Sequence, residues 1–270
     1  MTNSVLPESI ISPLPVWQAL EHLPIWDSPT CERLATQLAQ GYFLQIIEPD
    51  HPLESVVIVE LLADGYRGFL SRQDLGKLQP MPADFTYATP AVTAALIQMR
   101  IPQVLAYITA AMAQPHCYLW GGTVAPNYDC SGLMQAAFHS VGVNLPRDAY
   151  QQEAFCASIS LDEIQIGDLL FFGNAQKATH VGICCNYDPN TKLITYLHSS
   201  GQEHGHNGIA ISYLINTPHP LRLKENSSIN AAIVDLETRD RVSHWYGSQW
   251  RSVGRVMQSW HRFLSLEPKA

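Results

Sequence analysis

Residues 118–134 constrain the fold of this chain more than any other stretch, because a glycine-rich irregular segment there runs directly into a helical pattern. Asp129 is a suitable N-cap, since its carboxylate accepts hydrogen bonds from the free amides of a first helical turn. Cys130 then lies in that first turn, where the positive end of the helix dipole favours a thiolate over a thiol. The junction therefore predicts a nucleophile. An equally good interpretation is a small buried apolar residue that starts a helix, because free cysteine is commonly buried.

The N-terminal third of the chain has the short apolar runs and frequent turn formers of a small β-barrel. Three runs rich in β-branched and aromatic residues carry this pattern, at residues 42–47, 56–62 and 66–70. A polar, proline-containing arm precedes them. We therefore predict an arm over residues 1–14 and a β-barrel domain over residues 15–85, with no catalytic grouping in either.

After the barrel the pattern changes to helices and then to strands. We predict a connector over residues 86–101 and a second domain over residues 102–262, with a new helix at Pro102, since proline fits the first helical position. The cysteine-bearing helix follows, and apolar runs then predict strands at residues 168–172, 180–185 and 193–198. A helix followed by a sheet makes this an α+β domain. Residues 216–251 are predicted to be a solvated polar excursion.

Two histidines complete a candidate catalytic set with Cys130. A hairpin centred on Pro189 places His180 directly opposite His198, and directly opposed residues share a face with Cβ atoms roughly 4.5–5.5 Å apart. A shift of one residue would place the two side chains on opposite faces. In the paired register His180 is a base for the thiol, and His198 orients that base through a ring hydrogen bond. The alternatives are structural histidines, in a chain that has 11, and a Cys-His-His metal site without the usual paired ligand spacing.

The bulk composition excludes several classes of partner. A net charge of −8 makes nucleic acid and anionic membranes poor partners. The N-terminus lacks the basic start and apolar core of a signal peptide, and no apolar run has membrane-spanning length. Six scattered cysteines without zinc-type spacing are typical of reduced thiols in a cytoplasmic protein. We therefore expect a cytoplasmic protein that uses no metal or other cofactor.

Six motifs, in order along the chain, give the sequence a specific resemblance. They are Trp120-Gly-Gly, Asp129-Cys-Ser-Gly-Leu, Leu145-Pro-Arg-Asp-Ala, Gly167-Asp-Leu-Leu-Phe-Phe, His180-Val-Gly-Ile and His198-Ser-Ser-Gly. The set resembles the NlpC-type cysteine peptidases, which are papain-like enzymes of bacterial cell-wall chemistry. Leu23-Pro-Ile-Trp-Asp-Ser-Pro and Gly65-Tyr-Arg-Gly-Phe-Leu resemble a bacterial SH3-like domain. The whole is similar to the γ-D-glutamyl-L-diamino acid endopeptidases of cyanobacteria, and implies a papain-like NlpC-type domain preceded by a small SH3-like β-barrel.

This resemblance implies a substrate and a set of residue roles. The bond cut is the amide between γ-D-glutamate and meso-diaminopimelate in peptidoglycan-derived peptides with a free N-terminal L-alanine, a preference suited to recycling in the cytoplasm. The nucleophile falls on Cys130, the base on His180 and the third polar residue on His198. Other residues are expected to bind the substrate ammonium, to wall the pocket or to lie near the site. They are Asp129, Ser131, Tyr66, Tyr118, Trp120, Arg147 and Asp148.

The predicted substrate-binding residues also have purely structural interpretations, and the function has alternatives. Asp129 is explained equally by a helix cap, Tyr66 and Trp120 by core packing, and Arg147 and Asp148 by a solvated loop. Two rival functions are a thiol-dependent acyltransferase or amidase of the same fold and a non-catalytic protein that binds cell-wall peptides. The intact cysteine and its two histidines favour an enzyme over the binding protein.

Overall fold

The computed structural model describes residues 14–49, 52, 54–89, 91–204, 206–215 and 249–260. The predicted arm over residues 1–14 and the predicted excursion over residues 216–251 lie almost entirely outside the described residues. No helix in the described ranges is long and apolar enough to cross a membrane. The described chain forms two large sheets, one with its own buried core and one with a buried core on each face.

The N-terminal sheet has seven short antiparallel strands. They are β1 (Val16–Ala19), β2 (Leu23–Trp26), β3 (Leu34–Leu38), β4 (Phe43–Glu48), β5 (Val56–Leu61), β6 (Arg67–Ser71) and β7 (Leu78–Pro80). Their order in the sheet is β3-β2-β6-β5-β4-β1-β7. The side chains alternate between the two faces of the sheet, as in β2, where Leu23 and Ile25 are fully buried and Pro24 between them is half-buried. The predicted SH3-like, sheet-rich N-terminal region is therefore confirmed.

The first helix, α1 (Ala94–Met112), runs through Pro102, so the prediction that a new helix begins at Pro102 is wrong. One buried face with helical spacing continues from Ile97 to Ile108 on both sides of the proline. Pro102 itself is exposed, so the carbonyl group that it leaves without a helical partner lies on the solvent side. Burial of this face therefore outweighs the missing hydrogen bond, and the helix begins inside the predicted connector over residues 86–101.

The second sheet is antiparallel and follows two further helices, α2 (Cys130–His139) and α3 (Ala149–Phe155). A two-stranded ribbon, β8 (Thr123–Val124) and β9 (Asn127–Tyr128), precedes α2. The sheet strands are β10 (Ala157–Ile159), β11 (Leu169–Gly173), β12 (Ala178–Asp188), β13 (Leu193–Ser200), β14 (Gly208–Ile215) and β15 (Trp250–Arg255). Their order is β10-β15-β11-β12-β13-β14. The α+β class is confirmed, and β11, β12 and β13 are the three predicted strands.

The hairpin of β12 and β13 forms as predicted, but on the histidine side its register differs from the prediction by two residues. The observed pairing, continued along the strands, places Gly182 and not His180 opposite His198. A bulge at Cys185 adds one residue to β12, and the turn is displaced accordingly. Since a shift of two residues preserves the alternation of side chains, both histidines still lie on one face of the sheet.

The N-terminal barrel packs directly against the ribbon and loops that surround the start of α2. Gln37 of β3 accepts hydrogen bonds from the backbone amides of Thr123 and Val124 at 3.0 and 3.2 Å. The neighbouring hydroxyl of Thr36 accepts a hydrogen bond from Nε of Arg147 at 3.0 Å. The barrel therefore helps to hold the segments that position the candidate nucleophile.

Candidate active site

Cys130 is the first residue of α2, at the position that the sequence predicted. Asp129 is the N-cap, and its Oδ1 accepts a hydrogen bond from the backbone amide of Gly132 at 2.7 Å. Gly132 lies so close to the carbonyl group of Gly122 that an added Cβ would overlap it. The Asp-Cys-Ser-Gly sequence thus fixes the thiol at a helix start, because the carboxylate caps the helix and the glycine admits the preceding loop.

Burial raises the pKa of the Cys130 thiol to about 12, and the adjacent Asp129 carboxylate adds to the increase. The backbone amides of Val181 and Ser131 and the Arg147 guanidinium lower this pKa, but burial dominates. The expectation that the helix dipole gives a low thiol pKa is therefore wrong, because Cys130 is only 7% exposed. At neutral pH the side chain is a thiol, and it needs a base to become a nucleophile.

The two predicted histidines lie in direct contact. Nε2 of His180 is 2.8 Å from Nδ1 of His198, and the two rings are nearly perpendicular at 87°. Burial holds the pKa of His180 well below its ordinary value, and the neighbouring His198 and His204 act in the same direction. Burial, reinforced by His206 and His204, lowers the pKa of His198 to about 3. Both rings are therefore neutral at physiological pH, and each can donate one hydrogen bond and accept another.

β12, the strand that carries the base candidate, passes beside the nucleophile. The backbone amide of Val181, the residue after His180, lies close enough to the Cys130 sulfur to lower its pKa. A neutral imidazole next to a buried thiol can accept its proton, and the second imidazole can hold the first in one orientation. Within the described ranges, no three His, Cys, Asp or Glu side chains are arranged to hold a metal ion.

Asp129 and Arg147 form a buried ion pair. Two guanidinium nitrogens of Arg147 donate to the two carboxylate oxygens of Asp129 at 3.1 and 2.5 Å. Asp129 also accepts from the backbone amide of Gly121 at 2.9 Å and from the Ser131 hydroxyl at 3.3 Å. With the Gly132 amide, five donors surround a carboxylate that offers about four lone pairs. Asp129 and Arg147 are therefore fully engaged by groups of the protein, whereas contact with substrate was expected for both.

Replacing Arg147 with methionine should destabilise the fold by about 3–5 kcal/mol, because the Asp129 carboxylate would be left buried without its counter-charge. Arg147 is 2% exposed, so solvent does not screen the pair. Urea unfolding followed by circular dichroism measures the change. Arg33→Met is the matched control, since its pair with Asp27 is largely exposed and should contribute far less. A loss below about 1 kcal/mol for Arg147→Met would show that the ion pair does not hold the helix start.

The remaining predicted residues lie around the domain interface. Tyr66 is half-buried against the barrel core, and burial raises its pKa, with Asp148 as the next largest cause. Asp148 precedes α3, and its amide donates to the side chain of Gln151 at 3.0 Å. Trp120 is 55% exposed, so core packing does not explain it, and the Arg33 guanidinium lies 4.4 Å from its ring centroid. Tyr66 thus senses the charge of Asp148, whereas Trp120 is largely exposed beside Arg33 of the barrel.

Tyr118 occupies the segment that runs beside the strand before the nucleophile. It forms a parallel bridge with Tyr128, and its amide donates to the side chain of Asn207 at 3.2 Å. Tyr128 is almost fully buried and joins the core beneath Cys130. The backbone of Tyr118 therefore ties the loop after His206 to the start of α2.

Sequence reasoning missed a buried serine next to the histidines. Nε2 of His198 is 2.9 Å from Oγ of Ser212, which lies on β14 and is fully buried. His204 and His206 also lie near this pair, since both influence the pKa of His198. The alternation of side chains places Ala210, Ser212 and Leu214 on one face of β14, so the sequence could have predicted which face Ser212 occupies. A single serine in a strand, however, gives no indication of a function.

Comparisons with known proteins match both halves of the chain. Residues 115–218 match the NlpC/P60 family, and residues 25–75 match the bacterial dipeptidyl-peptidase Sh3 domain. The two matches confirm the resemblance that the six motifs and the N-terminal segments indicated. The matched NlpC/P60 range contains Cys130, His180 and His198.

Among curated relatives, the bifunctional muramidase/DL-endopeptidase CwlT of Bacillus subtilis is 44% identical over 70 residues, which is 24% of this chain and 21% of that protein. The gamma-D-glutamyl-L-lysine dipeptidyl-peptidase of the same organism is 41% identical over 69 residues, 24% of this chain and 23% of that protein. The matches therefore span about a fifth of the length of these relatives. A solved NlpC/P60 family protein from Bacillus cereus aligns with 90% of this chain and 64% of its own, at 18% identity and a TM-score of 0.40.

Proposed function

We propose that this chain, which joins an NlpC/P60 domain to a bacterial SH3 domain, is a cysteine peptidase of peptidoglycan-derived peptides. Its proposed reaction is hydrolysis of the γ-D-glutamyl–meso-diaminopimelate bond in peptides with a free N-terminal L-alanine. The observation that carries the proposal is a thiol at a capped helix start together with a neutral His180–His198 pair at 2.8 Å. The name of the γ-D-glutamyl-L-lysine dipeptidyl-peptidase, a relative over 69 residues, supports a γ-D-glutamyl substrate.

The proposed chemistry begins with proton transfer from Cys130 to His180. Nε2 of His180 is engaged with His198, so Nδ1 is the nitrogen that takes the thiol proton. The thiolate sulfur then bonds to the γ-carbonyl carbon, and the proton on His180 passes to the leaving amine of diaminopimelate as the amide bond breaks. Water, deprotonated by His180, cleaves the thioester and releases the glutamyl acid with the thiol restored.

Stabilisation of the developing oxyanion is assigned to the start of α2. The first amides of a helix have no intrahelical acceptor, and the Cys130 amide belongs to this group. Such amides are fixed before the reaction begins, so they stabilise negative charge without reorganisation. The helix start thus serves the oxyanion as well as the nucleophile.

We assign selection of a free substrate amine to an excess of carboxylates over cationic groups at the domain interface. The single guanidinium of Arg147 interacts with three carboxylates, those of Asp129, Asp148 and Asp64. Because Asp129 is saturated with donors, Asp148 is the better acceptor for an ammonium group. Excess negative charge of this kind favours a cation and disfavours a neutral amide at the same place.

Acetylation of the L-alanine amine should therefore lower kcat/KM at least ~10-fold, since it removes the charge and adds bulk at the interface. The measurement compares L-Ala-γ-D-Glu-diaminopimelate with its N-acetyl derivative. Asp148→Asn should reduce the ratio of kcat/KM between the free and the acetylated peptide, because it should slow cleavage of the free peptide only. Asp162→Asn on the surface should leave this ratio unchanged. Comparable rates for the two peptides, or clearing of purified cell walls, would contradict amine selection.

The proposal includes a cytoplasmic place for this reaction, as part of the recycling of wall peptides. A soluble tripeptide with a free amine is a substrate that such recycling supplies, whereas intact wall carries a muramyl-linked alanine. Fractionation of cells that express the tagged protein tests this part, with recovery from the periplasm or wall as the opposing result.

A further inference from the structure

The histidine pair continues into a third buried polar group. His180 contacts His198 at 2.8 Å, and the far nitrogen of His198 contacts the Ser212 hydroxyl at 2.9 Å. The three groups lie on the adjacent strands β12, β13 and β14, so the sheet itself fixes their spacing. His198 and Ser212 are both fully buried, which leaves bulk solvent no access to this end of the chain of hydrogen bonds.

The placement of Ser212 runs against hydrophobic packing. On β14, which is an edge strand, Ile211 is 38% exposed whereas Ser212 next to it is fully buried. Packing alone would favour the opposite arrangement, because burying an isoleucine stabilises a fold and burying a hydroxyl does not unless it is hydrogen-bonded. The contact with His198 is the compensation that this position has.

The direction of the hydrogen bonds decides whether His180 can act as a base. For Nδ1 of His180 to accept a proton, its own proton must be on Nε2 and be donated to Nδ1 of His198. A neutral His198 then carries its proton on Nε2 and donates it to Ser212. If both hydrogen bonds point the other way, Ser212 donates to His198 and His198 donates to His180. The proton of His180 is then on Nδ1, and this nitrogen cannot accept a proton from the thiol.

We propose that Ser212 is a positioning residue that selects the productive tautomer, by accepting the hydrogen bond of His198 Nε2–H. The inference rests on the proposed function, since it assigns His180 the role of base. The Ser212 hydroxyl also leaves this end of the hydrogen-bonded series uncharged. A carboxylate at the same place would favour a protonated His180–His198 pair, with one ring as an imidazolium.

The test compares Ser212→Ala, Ser212→Thr and a matched control, Ser259→Ala. Ser259 is also buried, and its hydroxyl accepts a hydrogen bond from the Asn144 amide at 2.9 Å, remote in the chain from the histidines. Ser212→Ala should lower kcat for the tripeptide roughly 10-fold with KM within about twofold. Ser212→Thr should recover most of the rate, and Ser259→Ala should keep kcat even if its melting temperature falls.

A second readout needs no substrate, so it separates this inference from the proposed function. Nitrogen-15 NMR of the imidazoles should show His198 protonated at Nε2 in the wild type and shifted toward the Nδ1–H form in Ser212→Ala. This measurement also decides the matter if the added methyl group of threonine prevents folding. An unchanged kcat in Ser212→Ala, or the same His198 tautomer with and without the hydroxyl, would overturn the role of Ser212. A wild type that leaves the tripeptide intact but has the expected tautomers would refute the peptidase proposal alone.

Discussion

Replacing Cys130 with alanine should lower kcat/KM for L-Ala-γ-D-Glu-diaminopimelate by at least ~10⁴-fold, because it removes the sulfur on which the proposed thioester forms. The fold should survive, since alanine is a good helix former and occupies less space at the start of α2. Product formation followed by chromatography measures the rate, and circular dichroism confirms that the variant is folded.

Cys184→Ala is the matched control for this experiment. Cys184 is fully buried, and burial raises its pKa to about 12, as it does for Cys130. It lies within β12 among the apolar residues of the second sheet, so its removal should affect stability and leave the chemistry intact. Retained hydrolysis in Cys130→Ala, or comparable losses in both variants, would refute Cys130 as the nucleophile.

His180→Ala should lower kcat roughly 10³-fold, because a buried thiol with a raised pKa depends on its base for deprotonation. His198→Ala should retain more activity, since it removes the group that orients the base and leaves the base itself. His139→Ala is the control, because burial lowers its pKa as well and it lies at the opposite end of α2 from Cys130, with its Nδ1 2.7 Å from Asn144. Equal and small losses in His180→Ala and His198→Ala would favour structural histidines.

The pH dependence follows from the same burial. A base whose pKa lies well below 6.5 remains neutral, and able to accept a proton, as the pH falls through that value. Activity should therefore be maintained at pH 6.5 and lost only at lower pH, as His180 becomes protonated. An acid limb of kcat/KM centred above pH 6.5 would contradict the buried, neutral base.

Much of this architecture follows from local sequence pattern. The Asp129 cap and the first-turn position of Cys130 are set by neighbouring residues, so they were readable from the chain alone. Alternation and β-branched content likewise predicted strands near β11, β12 and β13. The α1 boundary was not readable, because the proline rule is local and the buried face that overrides it is tertiary.

The details of the site depend on contacts that no local pattern encodes. The hairpin register depended on a bulge at Cys185, and the two histidines met only because the error was an even number of residues. The thiol pKa was predicted to be low because the helix-dipole argument leaves out desolvation. Desolvation of the buried thiol is the largest effect on this pKa, and it raises the pKa. Ser212 and Arg147, the ion-pair partner of Asp129, come from other segments, so only the fold brings them into the site.

Mass spectrometry of the products formed from L-Ala-γ-D-Glu-diaminopimelate tests the central claim most directly. The wild type should release the dipeptide L-Ala-D-Glu and free diaminopimelate in equal amounts, and Cys130→Ala should release neither. In oxygen-18 water the label should enter the dipeptide, as hydrolysis of a thioester at the γ-carboxyl requires. Cleavage of a different bond, or the same products from Cys130→Ala, would contradict a γ-D-glutamyl peptidase with Cys130 as its nucleophile.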